Sequence, residues 1–115
     1  MRPWQSRDFT YVDDVVQANL LCLEKQLRKG EVLNIAAGRP VTINELAGVI
    51  IRKLGKSRMK PKHTASRAGD IRHSYADITK ARTNLGYSPQ FTIESGIAWV
   101  IDWFTKRDDV LTKIA

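Results

Sequence analysis

Gln5-Ser-Arg-Asp-Phe-Thr-Tyr-Val-Asp-Asp-Val-Val-Gln-Ala18 is the stretch from which the fold is read, because the period of its apolar residues changes partway along it. Arg7 to Val12 alternate polar with aromatic and β-branched residues, the pattern of a short strand. Asp13 then stands where a helix N-cap belongs, its carboxylate able to accept from free backbone N–H groups. Asp14 adds negative charge where the helix dipole favours it. From there the period is helical: Val16, Leu20, Leu23 and Leu27 form a stripe that predicts a helix to about Arg28. Lys25, Arg28 and Lys29 favour its C-terminal end, and Gly30 supplies the stop. Cys22, beside the stripe, reads as a small core hydrophobe.

The same alternation of strand and helix signals continues downstream. Glu31-Val-Leu-Asn-Ile-Ala36 has the composition of a strand, and Ala37-Gly-Arg-Pro40 turns the chain. Thr42-Ile-Asn-Glu45 is a capping box. Ile43, Leu46, Ala47, Ile50 and Leu54 follow on one helical face, and Gly55 closes that helix. Lys60 to Thr64 reads as a short strand. Asp77 caps a short helix through Lys80, Ala81 and Leu85 that ends at Gly86, and Pro89 prevents its continuation. Thr92 caps a last helix whose apolar face is Ile93, Ile97, Val100, Ile101 and Phe104. Trp99 and Trp103 widen that face, as in a helix that packs on two sides. Residues 108–115 read as a fraying extension and 1–4 as an irregular start. The expected fold is therefore α+β and helix-rich, one domain over 1–115 with three longer helices, one short helix and a few short strands.

Composition narrows the function classes. The 115 residues suffice for one domain with its own core, and no apolar run approaches the roughly 20 residues of a membrane span. A single cysteine excludes an internal disulfide and suits a reducing compartment, so a cytoplasmic location is expected. His63 and His73 have no cysteine or carboxylate cluster at ligand spacing, so no metal site is expected. The net charge of +7 is concentrated in Arg52-Lys-Leu-Gly-Lys-Ser-Arg-Met-Lys-Pro-Lys-His63, which contains no acidic residue. Such a run is a solvated helix end and loop, or it faces a phosphorylated ligand or a nucleic acid. No aromatic RNA-binding motif, zinc-finger spacing or helix-turn-helix accompanies it, which disfavours nucleic acid.

Arg67-Ala-Gly-Asp70 is the stretch with chemistry in it. A guanidinium offers a planar fork of donors suited to phosphate oxygens. Asp70 accepts from hydroxyl or N–H groups, and Gly69 lets the backbone turn between the two. An exposed Arg–Asp ion pair on a surface turn is the competing reading.

Taken together, these motifs resemble the C-terminal part of the extended short-chain dehydrogenase/reductases, the NAD-dependent nucleotide-sugar epimerases and dehydratases, nearest in pattern to the UDP-glucose 4-epimerases. Gln5–Ala18 resembles the family's Q-x-R-D-F-x-Y-V-D-D-V-x-x-A segment. Val32-Leu-Asn-Ile35 followed by Thr42–Leu46 resembles its N-I-G strand, turn and capped helix. Arg67–Asp70, Ala76-Asp77, Lys80-Ala81 and Leu85-Gly86-Tyr87-x-Pro89 resemble its R-x-G-D…A-D…K-A…L-G-Y-x-P tail. The order and spacing agree across nearly all of the chain after residue 4.

The resemblance implies that Arg7 and Arg67 contact the diphosphate of a UDP- or dTDP-sugar and that Asp70 accepts from a ribose hydroxyl. Asp13 and Asp77 match equally and are assigned to helix caps. The family's Rossmann domain, opened by a glycine-rich turn over NAD, has no counterpart in these residues, and Gly38-Arg39-Pro40 does not approach such a turn. The catalytic Tyr-x-x-x-Lys pair is also absent: Tyr11 is followed four residues on by Val15, Tyr75 by Thr79 and Tyr87 by Phe91. The expectation is thus a nucleotide-sugar-binding fragment with no catalytic residues, which binds no cofactor alone although its full-length relatives use NAD. Apolar helix faces left without that domain imply a homo-oligomer. The alternatives are an orphan truncated gene product acting as an oligomeric interaction module without ligand, and a basic nucleic-acid-binding protein.

Overall fold

Four helices and one pair of very short strands organise residues 4–107, the part that the computed structural model describes. In chain order these are β1 (Ser6–Arg7), α1 (Val12–Glu24), β2 (Val41–Thr42), α2 (Ile43–Lys53), α3 (Thr79–Leu85) and α4 (Ile93–Thr105). The helix-rich α+β class agrees with the sequence. The irregular start at 1–3 and the tail at 108–115 lie outside the described residues.

β1 is the hub. It pairs antiparallel with β2, Ser6 opposite Thr42 and Arg7 opposite Val41. On its other side Ser6 bridges to His73 in parallel sense, with Ser6 N–H donating to the Arg72 carbonyl (3.0 Å) and Ser74 N–H donating to the Ser6 carbonyl (3.1 Å). Ser6 thus lies between the entrance of α2 and the segment leading into α3.

A small apolar cluster lies beside this hub. Ala18 of α1, Ala36, Ile78, Ala81 and Leu85 of α3, and Tyr87 are buried together, with Leu21, Leu27, Leu33 and Ile35 packed against them. Full burial of a side chain such as Leu85 is worth about 1.5–3 kcal/mol. Elsewhere α2 packs against α4, with Val49 buried on α2 and Gly96 buried on α4. A Cβ at Gly96 would stand 3.2 Å from the Tyr11 ring, and that ring stacks on Phe91 at 4.4 Å between centroids.

Helix ends are set by local chemistry where the sequence supplies it. Thr42 accepts from the Glu45 N–H and Glu45 accepts from the Thr42 N–H, completing the expected box. Thr92 forms a second box, with Ser95 as the partner that reaches back. Gly86 takes the left-handed conformation that ends α3 (φ 70°), which a Cβ would strain. Asp77 is not the N-cap of α3 as expected, since Ile78 holds that position with no side-chain cap bond, but its carboxylate accepts from the Thr79 N–H at 2.9 Å.

Several expectations are corrected. The strand expected over 7–12 is confined to Ser6–Arg7, and Val12 already belongs to α1. Asp13 is not the N-cap; Tyr11 holds that position with no side-chain bond. Asp14 is instead buried, and its two oxygens accept from Gln90 N–H (2.8 Å) and Phe91 N–H (3.2 Å), tying α1 to the entrance of α4. The helix ends at Glu24 rather than Arg28, because the chain turns back to bring Leu27, Leu33 and Ile35 under α3. The stripe of Val16, Leu20 and Leu23 is exposed, and the buried face of α1 is that of Asp14 and Ala18. Cys22 is exposed too. Neither 31–36 nor 60–64 forms a strand, since neither finds a neighbouring backbone with which to form a ladder among the described residues. Leu54, Trp99, Val100, Trp103 and Phe104 are also exposed.

Candidate functional site

The hub brings the loop that carries Arg67 and Asp70 beside the start of the chain. From Lys56 to Asp70 the backbone has no helix or strand, and it returns to β1 at Arg72–Ser74. Asp70 N–H donates to the Arg67 carbonyl (3.2 Å), and Gly69 takes a φ of 86° that allows the turn. The result is a cleft of about 200 Å³ lined by Thr64, Ala65, Arg67 and Asp70. Both charged side chains are exposed, and no ion pair joins them among the described residues. The competing reading, a surface Arg–Asp pair, therefore does not describe this turn. The guanidinium keeps its donors and the carboxylate its acceptors, as an anion carrying hydroxyl groups requires.

Arg7 does not line that cleft. Its guanidinium donates from Nη1 to the Ser6 carbonyl (2.8 Å) and, at 3.5 Å, to the Arg72 carbonyl. It is half-buried and reaches the loop only through the carbonyl of Arg72, which itself lies two residues along the chain from Asp70. Of the three residues singled out in the sequence, Arg67 and Asp70 come together, and Arg7 stands at the base of their loop.

Asp8 is the residue that sequence reasoning missed. Its Oδ1 accepts from Ala37 N–H (2.9 Å), and its Oδ2 accepts from Gly38 N–H (2.9 Å) and Ala76 N–H (3.3 Å). One carboxylate thereby fixes three segments of chain. The only sequence signal was its place beside Arg7 in the R-D-F motif, where a charged pair suggests ligand contact as readily as a backbone clamp.

That clamp bears on the dinucleotide cofactor. A glycine turn holds a pyrophosphate with free backbone N–H groups at a helix start. Here the Ala37 and Gly38 N–H groups are occupied by Asp8, and a Cβ at Gly38 would lie 2.9 Å from Ile78. The turn is packed against the chain's own core, so it does not fit a dinucleotide.

The tyrosines do not fit proton transfer either. Tyr87 is buried and its hydroxyl donates to the Ala36 carbonyl at 2.8 Å. Burial, then the nearby Asp14 and Asp8 carboxylates, pushes its phenol above the ordinary value, opposite to what a general base needs. Tyr11 is stacked on Phe91, and Tyr75 stands in solvent.

A broad surface hollow of about 730 Å³ is lined by Gln26–Glu31, Lys80 and Asn84. Its one carboxylate, Glu31, is already engaged by Asn84 (2.7 Å) and Lys80 (3.6 Å). The Asn84 bond is the main influence lowering its pKa. Size alone does not make it a site. No helix of the described residues is long and apolar enough to cross a membrane.

The family model described as GDP-mannose 4,6 dehydratase matches residues 4–100. A putative UDP-glucose 4-epimerase of Methanocaldococcus jannaschii is 37% identical over 104 residues, which is 90% of this chain and 32% of that protein. Among solved structures, the UDP-glucose 4-epimerase of Thermotoga maritima with UDP-glucose superposes with a TM-score of 0.83 at 39% identity, covering 92% of this chain and 33% of its own. The UDP-glucuronic acid 4-epimerase of Bacillus cereus, in complex with UDP-glucuronic acid and NAD, gives 0.81 at 31% identity, with 90% and 33% covered. The chain thus spans about a third of the length of the relatives it matches. Over that third it belongs to the GDP-mannose 4,6-dehydratase family of extended short-chain dehydrogenase/reductases, the nucleotide-sugar epimerases and dehydratases.

Proposed function

We propose that these residues form the nucleotide-sugar-binding part of an epimerase- or dehydratase-type protein. The cleft of Thr64, Ala65, Arg67 and Asp70 takes the diphosphate and ribose of a UDP- or dTDP-sugar. The observation that carries this reading is that Arg67 and Asp70 line one cleft with neither side chain paired to the other. Arg67 clamps a diphosphate oxygen pair, a charge-assisted contact of the strong class. Asp70 accepts from a ribose hydroxyl, and Arg7 supports the loop from beneath through the Arg72 carbonyl while adding positive potential. Among the described residues no tyrosine stands ready for proton transfer and the 37–38 turn is filled by Asp8, so on this reading the described part binds without turning over.

The test is isothermal titration of the chain with UDP and UDP-glucose. Binding in the range of about 0.1–1 mM is expected, since a single charged clamp and one acceptor contribute only about 4–5 kcal/mol. Arg67→Ala should abolish it. Absence of heat at millimolar ligand with a folded chain overturns the reading.

A second reading, an interaction module that associates through its own surface, is favoured by one observation. Val16, Leu20 and Leu23 on α1 form a continuous exposed apolar face. Self-association through this face is compatible with ligand binding at the cleft, which involves none of those residues.

A further inference from the structure

We propose that Lys60 and Lys62, on the backbone that leads directly into the Thr64–Asp70 cleft, steer a multiply charged phosphate ligand toward Arg67 without contacting it. The inference rests on the nucleotide-sugar reading of that cleft and adds a role for the basic run that the reading leaves unused. No carboxylate occurs between Glu45 and Asp70, whereas Arg52, Lys53, Lys56, Arg58, Lys60, Lys62 and Arg67 all do. Arg52 and Lys53 are accounted for by Glu94, at 2.6 Å and 3.6 Å. Lys56, Arg58, Lys60 and Lys62 are exposed and form no ion pair with any described residue.

The covalent path sets the distance. Pro61 holds Lys60 in extended backbone, and extended chain advances at most about 3.5 Å per residue. Lys62 is therefore within about 7 Å, along the chain, of Thr64 at the mouth of the cleft, and Lys60 within about 14 Å. Two like charges this near the cleft add their potentials there. The segment is also held in place: His63, next in sequence, has its Nε2 2.9 Å from Asn44 Oδ1 on α2. The Debye length at about 20 mM salt is roughly 20 Å and at about 0.5 M roughly 4 Å. Both lysines act on a diphosphate in the cleft at low salt, and neither does at high salt. Neither lines the cleft, which separates steering from contact.

The experiment is UDP titration at about 20 mM and about 0.5 M salt, on the wild-type chain and three variants checked for fold by circular dichroism. Lys60→Glu/Lys62→Glu should weaken binding about ten-fold at low salt, as expected for reversing two charges near a dianion across water, and leave it unchanged at high salt. Arg28→Glu/Lys29→Glu changes net charge equally in the separate Gln26–Glu31 hollow and should leave binding near wild type. Arg67→Ala should bind at neither salt. An unchanged low-salt affinity in the Lys60/Lys62 variant, with Arg67→Ala silent, overturns steering and leaves the cleft assignment standing. A deficit that persists at high salt overturns it in favour of direct contact. An equal loss in the Arg28/Lys29 variant overturns it in favour of a net-charge effect. Failure of the wild-type chain to bind UDP at either salt overturns both the steering and the site.

Discussion

At the scale of single residues, the buried and half-buried polar groups decide geometry, and they do so by occupying backbone donors and acceptors. Asp8 holds the 37–38 turn and Ala76, while Asp14 holds Gln90 and Phe91. Tyr87 completes the set from the core, its hydroxyl donating to the Ala36 carbonyl. Losing that donor from a buried cluster, Tyr87→Phe should cost about 1–2 kcal/mol in urea unfolding. The same residue gives an alkaline signature. Its phenol is raised in the folded chain above the ordinary 10.0, by burial first. The unfolded phenol ionises first as pH rises past that value, so stability falls there, and Tyr87→Phe should flatten the fall. Stability curves between pH 8 and 11 check the sign; an alkaline loss of equal size in the variant would refute the assignment. The Arg67–Asp70 turn belongs to this scale as well. Its residue types and the need for a glycine were readable from sequence, because a turn of four residues contains its own cause. The absence of an Arg67–Asp70 pair was not, because it depends on where two exposed side chains point.

Secondary-structure elements whose ends carry their own hydrogen-bonding chemistry behave as their sequences indicate. Thr42 and Glu45 satisfy each other at the entrance of α2, and the Thr42 N–H is the chief cause of the lowered Glu45 pKa. Thr42→Ala should cost about 1 kcal/mol at neutral pH. Because the Glu45 carboxyl is depressed in the folded chain, its contribution is present above the ordinary glutamate value of 4.5 and lost as pH falls through the lower folded value. The variant keeps the Thr42 N–H but loses the hydroxyl that donates to the carboxylate at 2.9 Å, so thermal unfolding at pH 7 and pH 3 should show a smaller Thr42→Ala penalty in acid; an undiminished one would assign the effect to the bond the hydroxyl accepts from the Glu45 N–H. Elements that depend on a distant partner are a different case. Val32–Ile35 has strand composition, but a strand needs a neighbour, and here it runs as irregular chain with Leu33 and Ile35 against the core and Val32 in solvent. The Val16–Leu20–Leu23 stripe has helical period, but period does not say which face meets the core. Ala18 does so here because its small side chain lets α1 lie close to α3.

For the molecule as a whole, the arrangement is open. A chain of 115 residues packed to ordinary density has a radius of gyration of about 13 Å, whereas this one has 17.1 Å. The apolar cluster is small, and much apolar surface stays outside it: Leu23 is 84% exposed, Val32 78% and Leu20 54%. Surface of that kind, continuous along one helix, associates in water. The chain on its own should therefore form a dimer or higher oligomer at about 10 μM, seen by light scattering after size exclusion as a mass above the 13.0 kDa of one chain. Leu20→Glu/Leu23→Glu tests the face directly. Neither leucine is buried within its own chain, so the helical circular dichroism should not change. If each leucine buries half its side chain in a two-fold contact, removing it forfeits about 1 kcal/mol, and the symmetric pair loses about 4 kcal/mol, close to a thousand-fold in Kd. The added carboxylates would also be desolvated against one another. The variant should run as a monomer where the wild type does not. A wild-type chain that stays monomeric throughout refutes the association itself, and a variant that remains oligomeric moves the contact to another surface, for which Trp99 and Trp103 on α4 are the next test.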